Sequence, residues 1–372
     1  MLKEKLFFLT RICYNSNIST VLTFKICTTI VNILREEGCF RQQIENMKEF
    51  CIQENDSNQR LDRFLQKALP ELPKSLCYKW IRTKHIKVNR KRCTPDQHLM
   101  PGDVVTLFVS DSYFTIKTEE KRSGVPEFLQ APNQLDILYE DEQILMVNKP
   151  VGLVVHCDSR QVPDTLVNRV LHYLYQTGAF HPEQEQSFTP ALCNRLDRNT
   201  GGIVIAAKTA AALREVNRLI RENKVHKKYL CITVGVPKER KATLYGWHKK
   251  SASHNTVTVR DTPEDGFQEI ITAYEVLASN ERHALLSVDL ITGRTHQIRA
   301  HLAHIHAPIL GDTKYGNMRE NRALHCKHQL LWAYQLQLET DSDSCLANLN
   351  GLTVQTPLPA FVTKEFPQVK LH

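Results

Sequence analysis

From Ala191 to Val236 the chain reads ALCNRLDRNTGGIVIAAKTAAALREVNRLIRENKVHKKYLCITVGV, and its apolar spacing changes twice, which leaves little freedom in how the segment folds. The unbroken run Ile203 to Ala207 predicts a buried strand. Ala212, Leu213, Val216, Leu219 and Ile220 then fall on one helical stripe, predicting a helix over 209–223 with Thr209 as its cap. Alternation returns from Lys228 to Val236, a strand with Tyr229 near its entry. A second dense block, LLSVDLITGRTHQIRAHLAHIHAPILGDTKYG from Leu285 to Gly316, predicts a strand through Leu286, Val288 and Leu290. Thr292-Gly293 turns it into a helix carrying His296, Ile298, Arg299 and Leu302, which Pro308 ends. LDILYEDEQILMVNKPVGLVVH adds two short strands at Ile137 to Tyr139 and Ile144 to Val147, a stop at Lys149-Pro150 and a third strand ending at His156. A further strand spans Leu330 to Leu338, and TPLPAF at 356–361 reads as a segment docked on the sheet.

A chain of 372 residues accommodates two or three such units. Ahead of the blocks above lies a segment of different character. Between Arg60 and Thr106 stand eleven Lys and Arg against four Asp and Glu, a local excess of seven in a protein whose whole formal charge is +8. Concentration of that kind points to a polyanion. Within it Leu61, Phe64, Leu65 and Leu69, then Leu76, Trp80 and Ile81, recur at helical spacing before and after the breaks at Pro70 and Pro73. Ile86 and Val88 begin a strand, Asn89-Arg90 turns it, and Pro101 to Val109 supplies another. Residues 109–134, rich in Ser, Pro and mixed charge, read as a linker. Residues 1–46 read as a poorly ordered extension, with a basic targeting helix as the alternative. Their one compact apolar run, Leu6 to Leu9, is too short for a membrane span. The eleven cysteines are scattered without a CxxC pair, as expected of reduced thiols in the cytoplasm rather than of a disulfide framework or a zinc site.

Chemistry centres on Asp197, in the polar loop Arg195-Leu196-Asp197-Arg198-Asn199-Thr200-Gly201-Gly202 just before a buried strand. Such a loop can hold one carboxylate rigidly at a cleft edge. The octet alone equally allows an aspartate that only pairs with its arginine neighbours. His296, His301, His304 and His306 invite a metal, but no HExxH and no carboxylate at matching helical spacing accompany them, so none is expected. Glycoside hydrolysis would need two bracketing acids, and only Asp197 has a motif-like setting. GxSxG, Walker and dinucleotide fingerprints are missing from the sequence.

The motifs resolve the choice. NRLDRNTGG resembles the HRLDxxTSG signature of the RluA family of pseudouridine synthases; KKYLCITVG and LITGRTHQIRAHLAHIHAPILGDTKYG resemble its second and third motifs. With NKPVGLVVH the likeness spans roughly residues 135–362, and the basic segment at 59–108 resembles the RNA-binding domain first described in ribosomal protein S-four. The resemblance implies a two-domain α+β protein: a helix-helix-strand RNA-binding domain, then a catalytic domain over 135–372 with a mixed, largely antiparallel sheet flanked by helices. It implies isomerisation of uridines in RNA, most naturally large-subunit ribosomal RNA, without cofactor, metal or membrane. Transfer RNA, or an idle RNA-binding assembly factor, are the alternatives.

Carried onto matching positions, Asp197 is the catalytic aspartate, Arg299 the arginine that pairs with it and favours its charged form, and Tyr229 the tyrosine that stacks on the flipped uracil and assists proton transfer. Arg195 fills the stack vacated by that base, while Arg294 and His296 position RNA or the motif loop. In the basic domain Arg60, Lys79, Arg82, Lys84 and Lys87 are expected on phosphates. Three departures stand out: Asn194 for the usual histidine, Gly201 for the usual serine, and Arg90 where the RNA-binding domain usually turns on glycine.

Overall fold

The computed structural model describes residues 47–108, 126–156, 162–251 and 256–371. The expected extension and most of the linker lie outside these residues. The chain divides into two compact units at Arg122/Ser123.

In the first unit, strand β1 (Met47–Cys51) runs antiparallel to β3 (Val104–Phe108), which also pairs with β2 (Ile86–Val88). Helices α1 (Leu61–Ala68) and α2 (Lys74–Arg82) cover this sheet. Their stripes, Leu61, Phe64 and Leu65 on one and Cys77 and Ile81 on the other, meet Ile86, Leu99 and Leu107 in one core. The unit therefore begins ahead of residue 59: Ile52 is buried, and Phe50 stacks edge-on against Phe64. Asn89 and Arg90 both have positive φ, 50° and 62°, closing a two-residue turn between Val88 and Lys91. Such a turn needs the left-handed region at both positions. Asn89 secures it by donating to Asp103 at 2.7 Å and accepting from the Val104 amide at 2.9 Å, which lets Arg90 stand where glycine would be easier.

The second unit is built on a sheet of eleven strands. Its members are β4 (Ile137–Glu140), β5 (Ile144–Lys149), β6 (Ala191–Leu192), β7 (Gly201–Ala207), β8 (Val225–Val234), β9 (Lys241–Lys250), β10 (Val257–Arg260), β11 (Gln268–Ser279), β12 (His283–Leu290), β13 (Leu331–Leu338) and β14 (Thr353–Gln355). The order is β10-β9-β11-β12-β8-β13-β7-β5-β4, with β14 on β13 and β6 on β7. The described pairs are antiparallel except β13 with β7, which are parallel over two residues, Trp332 with Gly201 and Ala333 with Gly202.

Strand β7 is buried along its whole length because helices cover both faces. Ile203, Ile205 and Ala207 meet α4 (Ala210–Arg221) through Ala212, Val216 and Leu219. Val204 and Ala206 meet α3 (Leu166–Gln176) through Val170 and Leu174. The expected Thr209 cap is formed, its hydroxyl accepting from the Ala212 amide at 3.1 Å. On β8, Tyr229 and Cys231 face α5 (Gln297–His304), while Leu230 and Ile232 face α6 (Ala360–Glu365). That last helix is the docked segment: Val362 and Phe366 are buried, and the Thr356 hydroxyl accepts from Trp332 Nε1 at 2.9 Å.

Two sequence expectations change. The third strand ending at His156 does not form: after Lys149-Pro150 the chain turns at Gly152, φ 92°, whose amide donates to the Arg198 carbonyl instead of a neighbouring strand. His296 precedes its helix as the N-cap, at φ 54°, and is not carried within it. The third helix and strands β9 to β11 add to the elements expected from the sequence, the helix burying Leu166, Val170, Leu171 and Leu174 as one stripe. No helix among the described residues is long and apolar enough to cross a membrane.

Candidate active site

Asp197 lies in the loop between β6 and β7, and that loop is fixed along its length. At its start the Asn194 amide takes the place of a strand neighbour, donating to the Ile203 carbonyl at 3.2 Å and accepting from the Ile205 amide at 2.8 Å. In its middle the Arg198 carbonyl accepts from Lys149 Nζ at 3.0 Å. At its end the Thr200 hydroxyl accepts from buried Gln329 at 3.1 Å. Asparagine where the family has histidine thus braces the loop through its own amide. Gly201 and Gly202 complete the exit: a Cβ at the first would lie 2.1 Å from the Trp332 ring, and at the second 2.1 Å from the Ala333 carbonyl oxygen. Gly201 for serine is therefore the complement of Trp332.

Arg299 reaches this loop from α5. The start of that helix is tied to β11 by buried Gln297, which donates to the Ile271 carbonyl and the Thr272 hydroxyl, both at 3.0 Å. Arg299 grips Asp312 with two parallel bonds, Nε at 2.7 Å and Nη2 at 2.9 Å, leaving Nη1 to donate to Asp197 Oδ2 at 2.5 Å. Asp312 is fully buried and also accepts from the amides of Lys314 and Tyr315. Burial raises its pKa, but the hydrogen bonds and charge of Arg299 prevail and hold it below the ordinary carboxylate value. Burial likewise opposes the charge on Arg299, and the two carboxylates more than offset it. Below the guanidinium lies the Tyr315 ring, 5.4 Å from Cζ.

Tyr229 enters from β8 and lines the same cleft as Asp197 and Arg299, together with Leu290 and Leu331. Burial pushes its phenol upward, and the negative charge of Asp197 adds to the shift, so the hydroxyl keeps its proton at neutral pH. The Asp197 side chain is 28% exposed, open to a substrate from the cleft side. Arg195 and Arg294 stand exposed on the rim. His296 is inside, with Nδ1 2.9 Å from the Tyr315 hydroxyl and Nε2 3.8 Å from Asp197 Oδ2.

The remaining histidines of the cluster separate. His301 packs in the core with Nδ1 3.1 Å from the Thr272 hydroxyl, and burial lowers its pKa to about 4. His304 pairs with Asp261 at 2.8 Å. Among the described residues no three His, Cys, Asp or Glu are arranged around a common metal position.

Lys149, Asp312 and Tyr315 were not among the expected site residues, although all three stand in the quoted motifs NKPVGLVVH and LGDTKYG. Lys149 is fully buried, its ammonium donating to the carbonyls of Pro150, Leu153 and Arg198 at 2.7–3.0 Å. Burial brings its pKa down to about 8, with the charge of Asp197 pulling the other way.

In the first unit Lys79, Arg82 and Lys84 are exposed, and Lys87 lies over the Phe108 ring at 5.1 Å. Arg60 differs, its guanidinium bound by both oxygens of Asp62 at 3.1 and 2.8 Å.

Comparison with known proteins identifies the family. A family model described as RNA pseudouridylate synthase matches residues 143–304, and one described as S4 domain matches residues 59–105. Ribosomal large subunit pseudouridine synthase C of Buchnera aphidicola is 36% identical over 71% of this chain and 79% of its own. An uncharacterized RNA pseudouridine synthase of Mycoplasma pneumoniae is 31% identical over 80% of this chain and 91% of its own. Ribosomal large subunit pseudouridine synthase D of Xylella fastidiosa is 31% identical over 72% and 75%. With the S4 domain ahead of a synthase domain of α+β architecture, the chain belongs to the RluA family of RNA pseudouridine synthases, isomerases that act on RNA.

Proposed function

We propose that the chain isomerises specific uridines of large-subunit ribosomal RNA, with Asp197 as nucleophile and no cofactor. The observation that carries this reading is the bond from Arg299 to Asp197 at 2.5 Å in a cleft shared with Tyr229. The guanidinium fixes one carboxylate oxygen, and the carboxylate's open side meets the target nucleotide. Attack of the carboxylate on the ribose anomeric carbon or on the uracil ring accompanies cleavage of the N1–C1′ bond; the base rotates, C5 bonds to C1′, the carboxylate is released, and the C5 proton is lost as N1 gains one. A uridine in a structured RNA must first leave its stack, and Arg195 on the rim can occupy the gap. The Tyr229 ring supports the flipped base, and its protonated hydroxyl takes part in the proton movement that follows. Arg294 at the mouth contacts the backbone.

Lys79, Arg82, Lys84 and Lys87 supply sequence-independent grip on phosphates, with Arg60 adding less because Asp62 already holds it. The names of the relatives from Buchnera and Xylella support the ribosomal substrate. The cytoplasm suits the chain, since Cys77 and Cys231 are buried as thiols.

The test is to incubate wild type and Asp197→Asn with ribosomal and transfer RNA transcripts and to map pseudouridine by chemical labelling and primer extension. Modification of the ribosomal transcript by the wild type alone is expected. Full activity of Asp197→Asn would remove the nucleophile assignment, and modification confined to transfer RNA would remove the substrate assignment.

A further inference from the structure

The Tyr315 hydroxyl has a single proton and two close nitrogen neighbours. It accepts from the Val257 amide at 2.8 Å, and His296 Nδ1 lies 2.9 Å away. Among the described residues no other acceptor is recorded for that proton. His296 is neutral at physiological pH: burial lowers its pKa to about 4, Asp197 opposes the shift, and the nearby cations Arg299 and Lys314 reinforce it. A neutral imidazole has one N–H. Were it on Nδ1, the Tyr315 oxygen would face two N–H donors and its own proton would have no partner. With the proton on Nε2 the network closes: the Val257 amide donates to Tyr315, Tyr315 donates to Nδ1, and Nε2–H is left over.

That N–H is 3.8 Å from Asp197 Oδ2, the oxygen Arg299 holds, and so beyond hydrogen-bond length. The donor is therefore available beside the carboxylate without being consumed by it. The backbone supports a fixed placement, because His296 sits at φ 54° at the mouth of α5, a strained position for a residue other than glycine.

We propose that Tyr315 locks His296 in the Nε2–H tautomer, and that His296 donates this hydrogen to an acceptor oxygen of the target nucleotide as it meets Asp197. His296 then touches substrate, while Tyr315 is a positioning residue acting through it. The inference rests on the assignment of Asp197 given above, and the experiment separates the two.

The full-length protein is labelled with 15N at histidine, and the His296 resonances are identified by their loss in His296→Asn, a residue that tolerates the left-handed backbone. In the wild type the signature of a neutral Nε2–H imidazole is expected. Tyr315→Phe keeps the ring under Arg299 but removes the hydroxyl, so the His296 signals should move toward a tautomer mixture. Its kcat should fall about tenfold, with KM within about twofold, because the lost interaction belongs to the transition state. His296→Asn should lose roughly 100-fold in kcat, the scale for removing one preorganised donor. A wild-type spectrum showing Nδ1–H would overturn the proposal, whatever the variants do. So would Tyr315→Phe with unchanged spectrum and kcat, provided Asp197→Asn is inactive. An active Asp197→Asn would instead count against the nucleophile.

Discussion

At the scale of single residues, this chain's departures from its family's motifs are explained by their neighbours. Asn194 substitutes for histidine by bonding to β7, and Gly201 substitutes for serine because Trp332 occupies the space. The second case can be measured. Gly201→Ser should destabilise the fold by about 1–3 kcal/mol, the usual cost of overpacking a full site. In Trp332→Leu the same serine should cost less, so denaturant unfolding of the four members of the cycle should show coupling between positions 201 and 332. Additive effects would refute the complementarity. Asp197, Tyr229 and Arg299 were legible in the sequence because each stands in a compact motif. Asp312 and Tyr315 were not, since their work is done through Arg299 and His296, and sequence spacing does not reveal such contacts.

At the scale of elements, the legible parts are those with a single strong period. The helix after Thr209 and strands β5, β7 and β12 follow their apolar spacing closely. Residues 151–156 were misread because an apolar run in a turn looks like an apolar run in a strand; only the route of the chain after Pro150 distinguishes them. That turn is held to the Asp197 loop by Lys149, which gives a test. Lys149 has a folded pKa of about 8 against 10.5 when exposed, so between these values the unfolded chain binds more protons and stability rises with pH. Below about 8 the burial penalty on the ammonium is fully present. Stability of wild type relative to Lys149→Met should therefore climb by roughly 3 kcal/mol between pH 8 and 10.5. A difference flat with pH would mean that Lys149 is not buried as a cation. Activity of Lys149→Met should fall at every pH, since the Arg198 carbonyl loses one of its two donors and keeps only the Gly152 amide.

At the scale of the whole molecule, the chain joins a small basic unit to a large catalytic one. The first owes much of its charge to side chains its own fold does not use, the exposed Lys79, Arg82 and Lys84, with Lys87 lying over the Phe108 ring. Replacing these four by alanine should reduce the slope of log K against log salt for RNA binding by about 3, at roughly 0.7–0.9 per phosphate contact. An unchanged slope would show that the basic unit does not carry the RNA. The stability of the catalytic unit should be unaffected, as none of the four lies in it.

The two-residue parallel pairing of β7 with β13 has a mechanical meaning. On one side of it six strands run antiparallel from β10 to β13, and on the other three run from β7 to β4. Asp197 is anchored to the smaller panel, and Tyr229 and Arg299 to the larger, so these side chains meet across the shortest pairing on the path from β10 to β4. The joint is short in backbone hydrogen bonds but not in packing, because Ile203 and Ile205 of β7 share one buried core with Leu336 and Leu338 of β13. The molecule is thus a book whose two covers are glued along the spine, its opening held by that common core and by the Arg299–Asp197 bond that spans the gap.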